Sequence, residues 1–285
     1  MRGNWSSTIS SASAPSSLSC QASRSPALHR AEAVANGLVL SYDLFDLDGI
    51  AGHAAALPRL LDEAAAEDYA GLNITHPCKQ RVLDHLDELS GDAEALGAVN
   101  TVLFRDGRRI GHNTDWWGFA ESMRRGLPGV ALHRVLLLGA GGAGVAVAHA
   151  LMTLGTERLA VCDIDRGRAD RLVRGLLARF PDRTITIADR DAVAAADGIV
   201  HATPTGMVEH PGLPLDPERL GPRQWLAEIV YFPLETALLH AARQRGLRTL
   251  DGGGMAVFQA AGAFRLFTGI APDAERMLRH FRSMG

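Results

Sequence analysis

The sequence predicts a two-domain α/β protein whose second domain is a Rossmann-like, doubly wound parallel sheet. Three observations support this prediction. The apolar run at 135–138 leads into the glycine cluster GAGGAG at 139–144 and then into small residues with helical spacing. From there to residue 251, apolar runs of strand length alternate with amphipathic stretches, as in βαβ units with right-handed crossovers. Residues 38–112 follow a separate α/β pattern that contains an Asp106-Gly107 hairpin signal.

The N-terminal segment predicts no regular structure. Residues 1–22 are rich in serine, contain no acidic residue and include no apolar strand, so we expect them to be disordered, or misread upstream of Gln21. They also lack the apolar core of a secretory signal. Order is expected from Ser23, with Ser25 capping the first helix and Pro26 at its first position.

The first half of the chain then alternates strands with helices. The pattern predicts strands at 38–45, from 69, at 96–104 and at 109–112, with helices at 57–67 and 81–89 and one ending at 125. The second half predicts strands at 135–138, 158–163, 184–188, 198–202, 225–231 and 248–251. Its helices are expected at 145–151, 168–179, 191–196, 236–245, 255–268 and 272–284.

Composition excludes several classes of protein. A formal net charge of -3 leaves no basic excess for nucleic-acid binding. No apolar run approaches the roughly 18 residues that a membrane helix needs. The three cysteines, Cys20, Cys78 and Cys162, are few and far apart, which predicts a reducing compartment such as the cytoplasm. His76 and Cys78 form a single close pair without further ligands, so no metal site is expected.

The glycine cluster predicts a dinucleotide site. Glycines let the backbone turn sharply and approach a ligand, and the helix N-terminus that follows favours a pyrophosphate. Asp163 lies 24 residues after Gly139, close to the offset at which a carboxylate meets the adenosine ribose. Ile164 and Asp165 follow it and suit a 2′-phosphate poorly, which favours NAD over NADP. The nearby Arg166 and Arg168 oppose this inference, and a glycine turn beside a solvated acid is the plain alternative.

Seven motifs in one order carry a family resemblance. They are SRSP at 23–26, NITHPCK at 73–79, GAVNT at 97–101, GHNTD at 111–115, the glycine cluster, ATPTGM at 202–207 and GMAVFQ at 254–259. Together they resemble the shikimate dehydrogenase family, and its NAD-using quinate/shikimate dehydrogenases most closely. The resemblance runs from Ser23 to the C-terminus. Cys78 departs from it, because an aromatic residue is common there.

The resemblance implies a domain division and a set of site residues. The substrate-binding catalytic domain would comprise 23–117 plus the returning helices of 255–285, and the dinucleotide-binding domain 118–254. The implied catalytic pair is Lys79 and Asp115. The implied substrate-binding residues are Ser23, Ser25, Thr75, Asn100, Tyr231 and Gln259. The implied cofactor-binding residues are Gly139, Ala140, Gly141, Gly142, Ala143, Asp163, Thr203, Pro204, Thr205, Gly206, Met207, Ile229 and Gly252.

The implied reaction is the reversible NAD-dependent oxidation of a ring hydroxyl of shikimate or quinate to the 3-dehydro product. Such an oxidation needs a group that accepts the hydroxyl proton. A lysine titrates near ~10.4 on its own, so Lys79 would need desolvation or a partner such as Asp115 to accept that proton. Two alternatives stay open: an NADP-dependent biosynthetic shikimate dehydrogenase, and a non-catalytic ligand-binding paralogue. The expected partners are small molecules, and the oligomeric state, a homodimer included, is left open.

Overall fold

The computed structural model describes residues 6–13, 23–46, 53–75 and 77–284. The chain divides into two compact units, a first unit of residues 1–114 and 257–285 and a second unit of residues 115–256. The sequence predicts that the second domain spans 118–254, so its predicted start lies three residues after the observed one and its predicted end two residues before the observed one.

Strands and helices alternate through both units. The strands are β1 (Ser6–Ser13), β2 (Val39–Asp46), β3 (Tyr69–Ile74), β4 (Glu88–Leu89), β5 (Thr101–Arg105), β6 (Arg108–His112), β7 (Arg134–Leu138), β8 (Arg158–Cys162), β9 (Thr184–Ile187), β10 (Gly198–His201), β11 (Trp225–Glu228) and β12 (Arg248–Leu250). The α-helices are α1 (Ser25–Ala35), α2 (His53–Ala66), α3 (Cys78–Arg81), α4 (Gly91–Leu96), α5 (Asp115–Gly126), α6 (Gly142–Thr153), α7 (Arg166–Arg179), α8 (Ala237–Gln244), α9 (Gly253–Thr268) and α10 (Ala274–Ser283).

The first unit contains a mixed sheet in the order β2-β1-β3-β5-β6-β4. Strand β1 pairs in parallel with both β2 and β3, while β5 runs antiparallel to β3 and β6. The prediction that 1–22 contains no strand is therefore wrong for Ser6–Ser13. A strand needs only backbone N–H and C=O groups facing two neighbours, and any non-proline residue supplies these whatever its polarity. The rest of 1–22 lies outside the described residues.

Four further predictions fail locally. The helix expected at 81–89 is instead α3, a 3₁₀ turn at Val82–His85 and the short strand β4. The strand expected at 96–104 starts only at Thr101, and the strand expected at 225–231 ends at Glu228. Ser25 does not cap α1: the helix starts at Ser25 itself, after Arg24, and the Ser23 hydroxyl oxygen accepts the Ser25 N–H at 3.3 Å. Apolar spacing alone does not distinguish a helix from short turns whose side chains share one buried face.

The second unit contains an all-parallel sheet in the order β12-β11-β10-β7-β8-β9. Counted from β7, this is the 3-2-1-4-5-6 order of a Rossmann sheet, in which ligands bind beyond the carboxyl ends of the strands at the switch point. Alternate residues of β7 face opposite sides. Leu137 packs with helices α5, α6 and α7, and Leu136 packs with α8. Both faces are covered, as a parallel sheet requires, and the predicted fold class is confirmed.

The first sheet also has a core on each face. One core joins α2 to β3 and β5 through Leu61, Leu72 and Val102. The other includes Tyr42 and Leu103 of the sheet with Phe267 of α9. The C-terminal helices are thus part of the first unit, and α10 is tied to α1 by a bidentate pair in which Arg276 donates to the buried carboxylate of Glu32.

Candidate active site

The glycine loop after β7 has the shape that a dinucleotide needs. Gly139 has a positive φ of 104°, and a Cβ there would lie 2.6 Å from the Ala202 carbonyl oxygen. A Cβ at Gly144 would lie 2.2 Å from the Gly139 carbonyl oxygen, so strand and helix approach each other too closely for a side chain. Added Cβ atoms at Gly141 and Gly142 would meet no heavy atom within 4 Å. The loop is therefore closed on the protein side and open where a pyrophosphate would lie.

Helix α6 starts at this open side. Its N-cap is Gly141, and no side chain caps it. The N–H groups of its first turn have no acceptor within the helix, and the helix dipole adds partial positive charge at that end. Both features favour a bound phosphate group.

Asp163 follows β8 and is fixed against the glycine loop. One carboxylate oxygen accepts the Ala140 N–H at 2.6 Å, and the other accepts the Asp165 N–H at 2.8 Å. Ile164, the next residue, is 96% exposed. Asp165 caps α7 and forms an ion pair with Arg168 at 3.3 Å. One of the two arginines that opposed NAD use is therefore already paired with an acid.

The remaining predicted cofactor residues of the second unit lie at the same edge of its sheet. The segment 203–207, here called the 203–207 loop, follows β10, and Ile229 follows β11. A Cβ at Gly252 would lie 2.3 Å from the Ile229 carbonyl oxygen, so only glycine fits there. Because all six strands are parallel, these loops and the glycine loop share the carboxyl edge.

A buried polar pair at this edge escaped the sequence analysis. His201 and Glu228 are the last residues of neighbouring strands, stand opposite each other in register, and are 0% and 1% exposed. Nδ1 of His201 lies 2.9 Å from Oε1 of Glu228, and Nε2 lies 2.5 Å from the Thr203 hydroxyl. The available signal was a polar residue ending each of two consecutive apolar strands.

Backbone hydrogen bonds of the first unit bring three of its predicted residues into one region. Thr75 follows β3, whose last residue, Ile74, donates its N–H to the Asn100 carbonyl at 2.8 Å. The Lys79 carbonyl accepts the Val99 N–H at 2.8 Å. Lys79 therefore lies on α3 beside the segment that carries Asn100. His76, within the same motif, lies outside the described residues.

The Asn100 side chain is buried in a hydrogen-bond network with the GHNTD motif. Its amide nitrogen donates to the Thr114 hydroxyl at 2.9 Å, and its amide oxygen accepts the Thr114 N–H at 2.8 Å. Asn113 donates to the Ala98 carbonyl at 3.0 Å. These bonds fix the chain immediately before Asp115.

Asp115 is the first residue of α5 and begins the second unit. It is 7% exposed. Among the other predicted residues, Tyr231 follows β11 with 40% of its surface exposed, and Gln259 lies on α9.

The two described cysteines near these motifs are weak nucleophiles. Burial raises the pKa of the Cys78 thiol, against a smaller opposing effect of Arg81. Burial also raises the pKa of Cys162, although Arg190 lowers it somewhat. Both side chains remain thiols at neutral pH, which does not suit covalent catalysis.

Within the described ranges, no three His, Cys, Asp or Glu side chains are grouped as a metal would need. Over the same ranges, no helix has both the length and the apolar character for crossing a membrane.

Comparison with known protein families gives matches toward both ends of the chain. A model described as "Shikimate dehydrogenase substrate binding domain" matches residues 18–102, and one described as "Shikimate 5'-dehydrogenase C-terminal domain" matches residues 252–280. A "Shikimate dehydrogenase (NADP(+))" of Streptomyces avermitilis is 56% identical over 90% of this chain and 89% of the relative. The chain belongs to the shikimate dehydrogenase family.

Other members of the family also match over nearly the whole chain, with lower sequence identity. A "Quinate/shikimate dehydrogenase (NAD(+))" of Corynebacterium efficiens is 47% identical over 92% of this chain and 94% of that protein. Among solved structures, a quinate dehydrogenase from Corynebacterium glutamicum in complex with NAD has a TM-score of 0.90 and 44% identity. The match covers 98% of this chain and 99% of that one. The predicted membership of the shikimate dehydrogenase family is confirmed, and as a member the chain is an oxidoreductase.

Proposed function

We propose that this chain catalyses the reversible NAD-dependent oxidation of the ring hydroxyl of shikimate, quinate or both to the 3-dehydro acid. The observation that carries the choice of cofactor is the Asp163 carboxylate, held at the glycine loop by two backbone N–H groups. Relatives of this chain are named for NADP or for NAD, and the carboxylate of Asp163 supports the choice of NAD.

The charges around Asp163 favour NAD. A carboxylate has lone pairs for both ribose hydroxyls in addition to the two N–H groups that it already accepts. A 2′-phosphate would bring further negative charge next to the carboxylate of Asp163, and like charges repel. Arg168 offsets this repulsion little, because it is paired with Asp165.

The proposed substrate fits the polar groups of the predicted binding residues. Shikimate and quinate carry one carboxylate and several ring hydroxyls, which hydroxyl and amide side chains can recognise. In the first unit, we assign Ser23, Ser25, Thr75, Asn100 and Gln259 to this role, and in the second unit Tyr231. The Ser23 oxygen accepts the Ser25 N–H, and its hydroxyl proton can be donated to a substrate oxygen.

We assign proton transfer to Lys79 and its support to Asp115. When bound, the nicotinamide supplies the acceptor for the hydrogen that leaves the carbinol carbon with its electron pair. The hydroxyl proton must go to a protein base at the same time. Lys79 takes that proton, and Asp115 orients the lysine and the substrate hydroxyl. The reaction is proposed to take place in the cytoplasm, as the low cysteine content suggests.

The experiment crosses NAD and NADP against shikimate and quinate at alkaline pH and records absorbance of the reduced cofactor. We expect turnover with NAD and at least one acid. A higher kcat/KM with NADP would refute the assignment of Asp163. If folded protein turns over none of the four mixtures, the proposed enzymatic activity is refuted, and the alternative of a non-catalytic ligand-binding paralogue is supported.

A pair of variants tests the role of Asp163 directly. The double variant Asp163→Asn, Ile164→Arg removes the charge and supplies a cation for a 2′-phosphate, while the Asn oxygen can still accept the Ala140 N–H. We expect kcat/KM with NAD to fall about tenfold or more and kcat/KM with NADP to rise. The control is Asp165→Asn, which also removes one negative charge but keeps an N-cap for α7. Because it also releases Arg168 from its ion pair, it should raise kcat/KM with NADP somewhat, but with Asp163 intact NAD should remain the preferred cofactor.

A further inference from the structure

The pair His201 and Glu228 is part of a longer buried chain of side chains in the second unit. The second oxygen of Glu228 accepts the Thr236 hydroxyl at 2.6 Å. The Thr236 oxygen in turn accepts the Leu239 N–H at 3.1 Å, which caps α8. Since that oxygen is occupied as an acceptor, its proton is the one donated to Glu228. Glu228 therefore binds a neighbour through each of its oxygens.

Both neighbours of Glu228 contact the 203–207 loop. At its start, His201 Nε2 lies 2.5 Å from the Thr203 hydroxyl, whose oxygen also accepts the Thr205 N–H at 3.3 Å. Further along, a Cβ at Gly206 would lie 3.5 Å from the Thr236 side chain, so the loop packs directly on it. Through His201 and Thr236, the Glu228 carboxylate thus supports the 203–207 loop at two positions.

Thr203 also touches the glycine loop. A Cβ at Gly139 would lie 3.0 Å from the Thr203 methyl group. The Thr203 side chain therefore lies between His201, which is fully buried, and the backbone that is proposed to bind the pyrophosphate. A rotation of the Thr203 side chain would therefore change which of its atoms face the proposed cofactor site.

The pair is not explained by stability alone. Two polar side chains in a sheet core lose their hydration, and apolar residues of similar size are often as stable there. Within β10 and β11, the other buried positions are Gly198, Ile199, Val200, Trp225, Leu226 and Ala227. The polar residues stand only at the carboxyl edge of these two strands, next to the 203–207 loop.

We propose that His201 and Glu228 are positioning residues that hold Thr203 in the orientation required for binding the nicotinamide cofactor. With Nδ1–H donated to Glu228, Nε2 accepts the Thr203 hydroxyl proton. The Thr203 oxygen then faces the loop and the cofactor with its lone pairs. This inference rests on the proposed cofactor role of the 203–207 loop.

Two substitutions of His201 separate the contact with Thr203 from the general loss of the ring. In His201→Asn, the amide nitrogen stands near the position of Nδ1, so it can keep the bond to Glu228 but cannot reach Thr203. In His201→Gln, the longer side chain places its amide near Nε2 and can bond Thr203. The main readout is the dissociation constant of NADH, measured by its fluorescence without substrate. The second readout is KM for NAD and for shikimate, and the melting temperature monitors folding.

We expect His201→Asn to weaken NADH binding about fivefold, which corresponds to about 1 kcal/mol for one lost hydrogen bond. KM for shikimate should stay within about twofold of the parent value, and His201→Gln should restore most of the NADH affinity. Equal NADH affinity in both variants and the parent, or an equal loss in both variants, would overturn the inference. If the parent binds NADPH and not NADH, the proposed cofactor fails, and the same comparison made with NADPH decides the role of His201.

The single variant Thr203→Val provides a measurement that does not depend on the folding of the His201 variants. Valine has nearly the same shape and lacks the hydroxyl. We expect the same fivefold loss of NADH affinity, and no additional loss when Thr203→Val is combined with His201→Asn. Full NADH affinity in Thr203→Val, or additive losses in the double variant, would contradict the proposed coupling. Failure of the parent to bind either reduced cofactor would overturn both this inference and the proposed function.

Discussion

His29, on α1, makes the stability of the first unit depend on pH. The ring is fully buried, and among the described residues neither nitrogen has a hydrogen-bond partner. Tyr42, Phe264 and Phe267 surround it, with ring centroids at 5.2, 6.0 and 6.2 Å. Burial in this aromatic cluster lowers the pKa of His29 from 6.5 to about 3. The folded chain therefore keeps the ring neutral at a pH at which the unfolded chain protonates it.

The sign and size of the effect follow from proton linkage. Above pH 6.5 the ring is neutral in both states and contributes no pH dependence. As the pH falls from 6.5 toward 3, the unfolded state binds a proton that the folded state excludes, so the free energy of unfolding decreases. Each pH unit costs about 1.4 kcal/mol. Between pH 8 and pH 5 the loss due to His29 is therefore about 2 kcal/mol.

The measurement is urea unfolding followed by far-UV circular dichroism at pH 8 and pH 5. Other groups also titrate over this range, His112 among them, so the parent is compared with His29→Leu and His29→Gln. Both variants remove the titrating ring, one with an apolar and one with a polar side chain. We expect the parent to lose about 2 kcal/mol more than either variant on going to pH 5. Equal losses in all three proteins would show that His29 is protonated or hydrogen-bonded in the folded state, and would refute the argument.

Two more predictions concern the active site. Lys79→Ala should lower kcat by about 100-fold or more with the fold intact. Lys79→Arg should not restore activity, because a guanidinium keeps its proton. Normal turnover by either variant would show that Lys79 is not the base. Gly252→Ala should abolish detectable NADH binding, since its Cβ would lie 2.3 Å from the Ile229 carbonyl oxygen. The matched Gly175→Ala, on the exposed face of α7 where a Cβ would meet no atom within 4 Å, should instead stabilise the protein by about 0.5–1 kcal/mol in thermal or urea unfolding.

The architecture of the second unit could be predicted because its physical signals are local. A strand buried on both faces is a continuous apolar run, and β7 with its glycine turn is the clearest example. The alternation of such runs with amphipathic stretches then requires parallel strands and crossovers. Asp163 could be singled out for the same reason, since its distance from the glycine loop is counted along the chain.

The secondary-structure predictions failed where pairing with distant segments determines the local structure. Strand β1 has no apolar pattern of its own, and its place between β2 and β3 depends on two neighbours that come later in the chain. The helix expected at 81–89 has helical apolar spacing, yet the chain turns there to bring β4 beside β6. The contact of His201 with Glu228 spans 27 residues and follows from strand order, which no local pattern reports.

The first unit is formed by two chain segments, 1–114 and 257–285, and this affects the order of folding during synthesis on the ribosome. Its core includes Ala263 and Phe267, which follow the whole of the second unit in the chain. During translation the continuous segment 115–256 is complete while the first unit still lacks most of α9. The nucleotide-binding half can therefore reach its native state first, and Tyr42 and Leu103 lack the part of their core that Ala263 and Phe267 supply until α9 emerges. A stalled or truncated chain would expose this part of the core to chaperones and proteases.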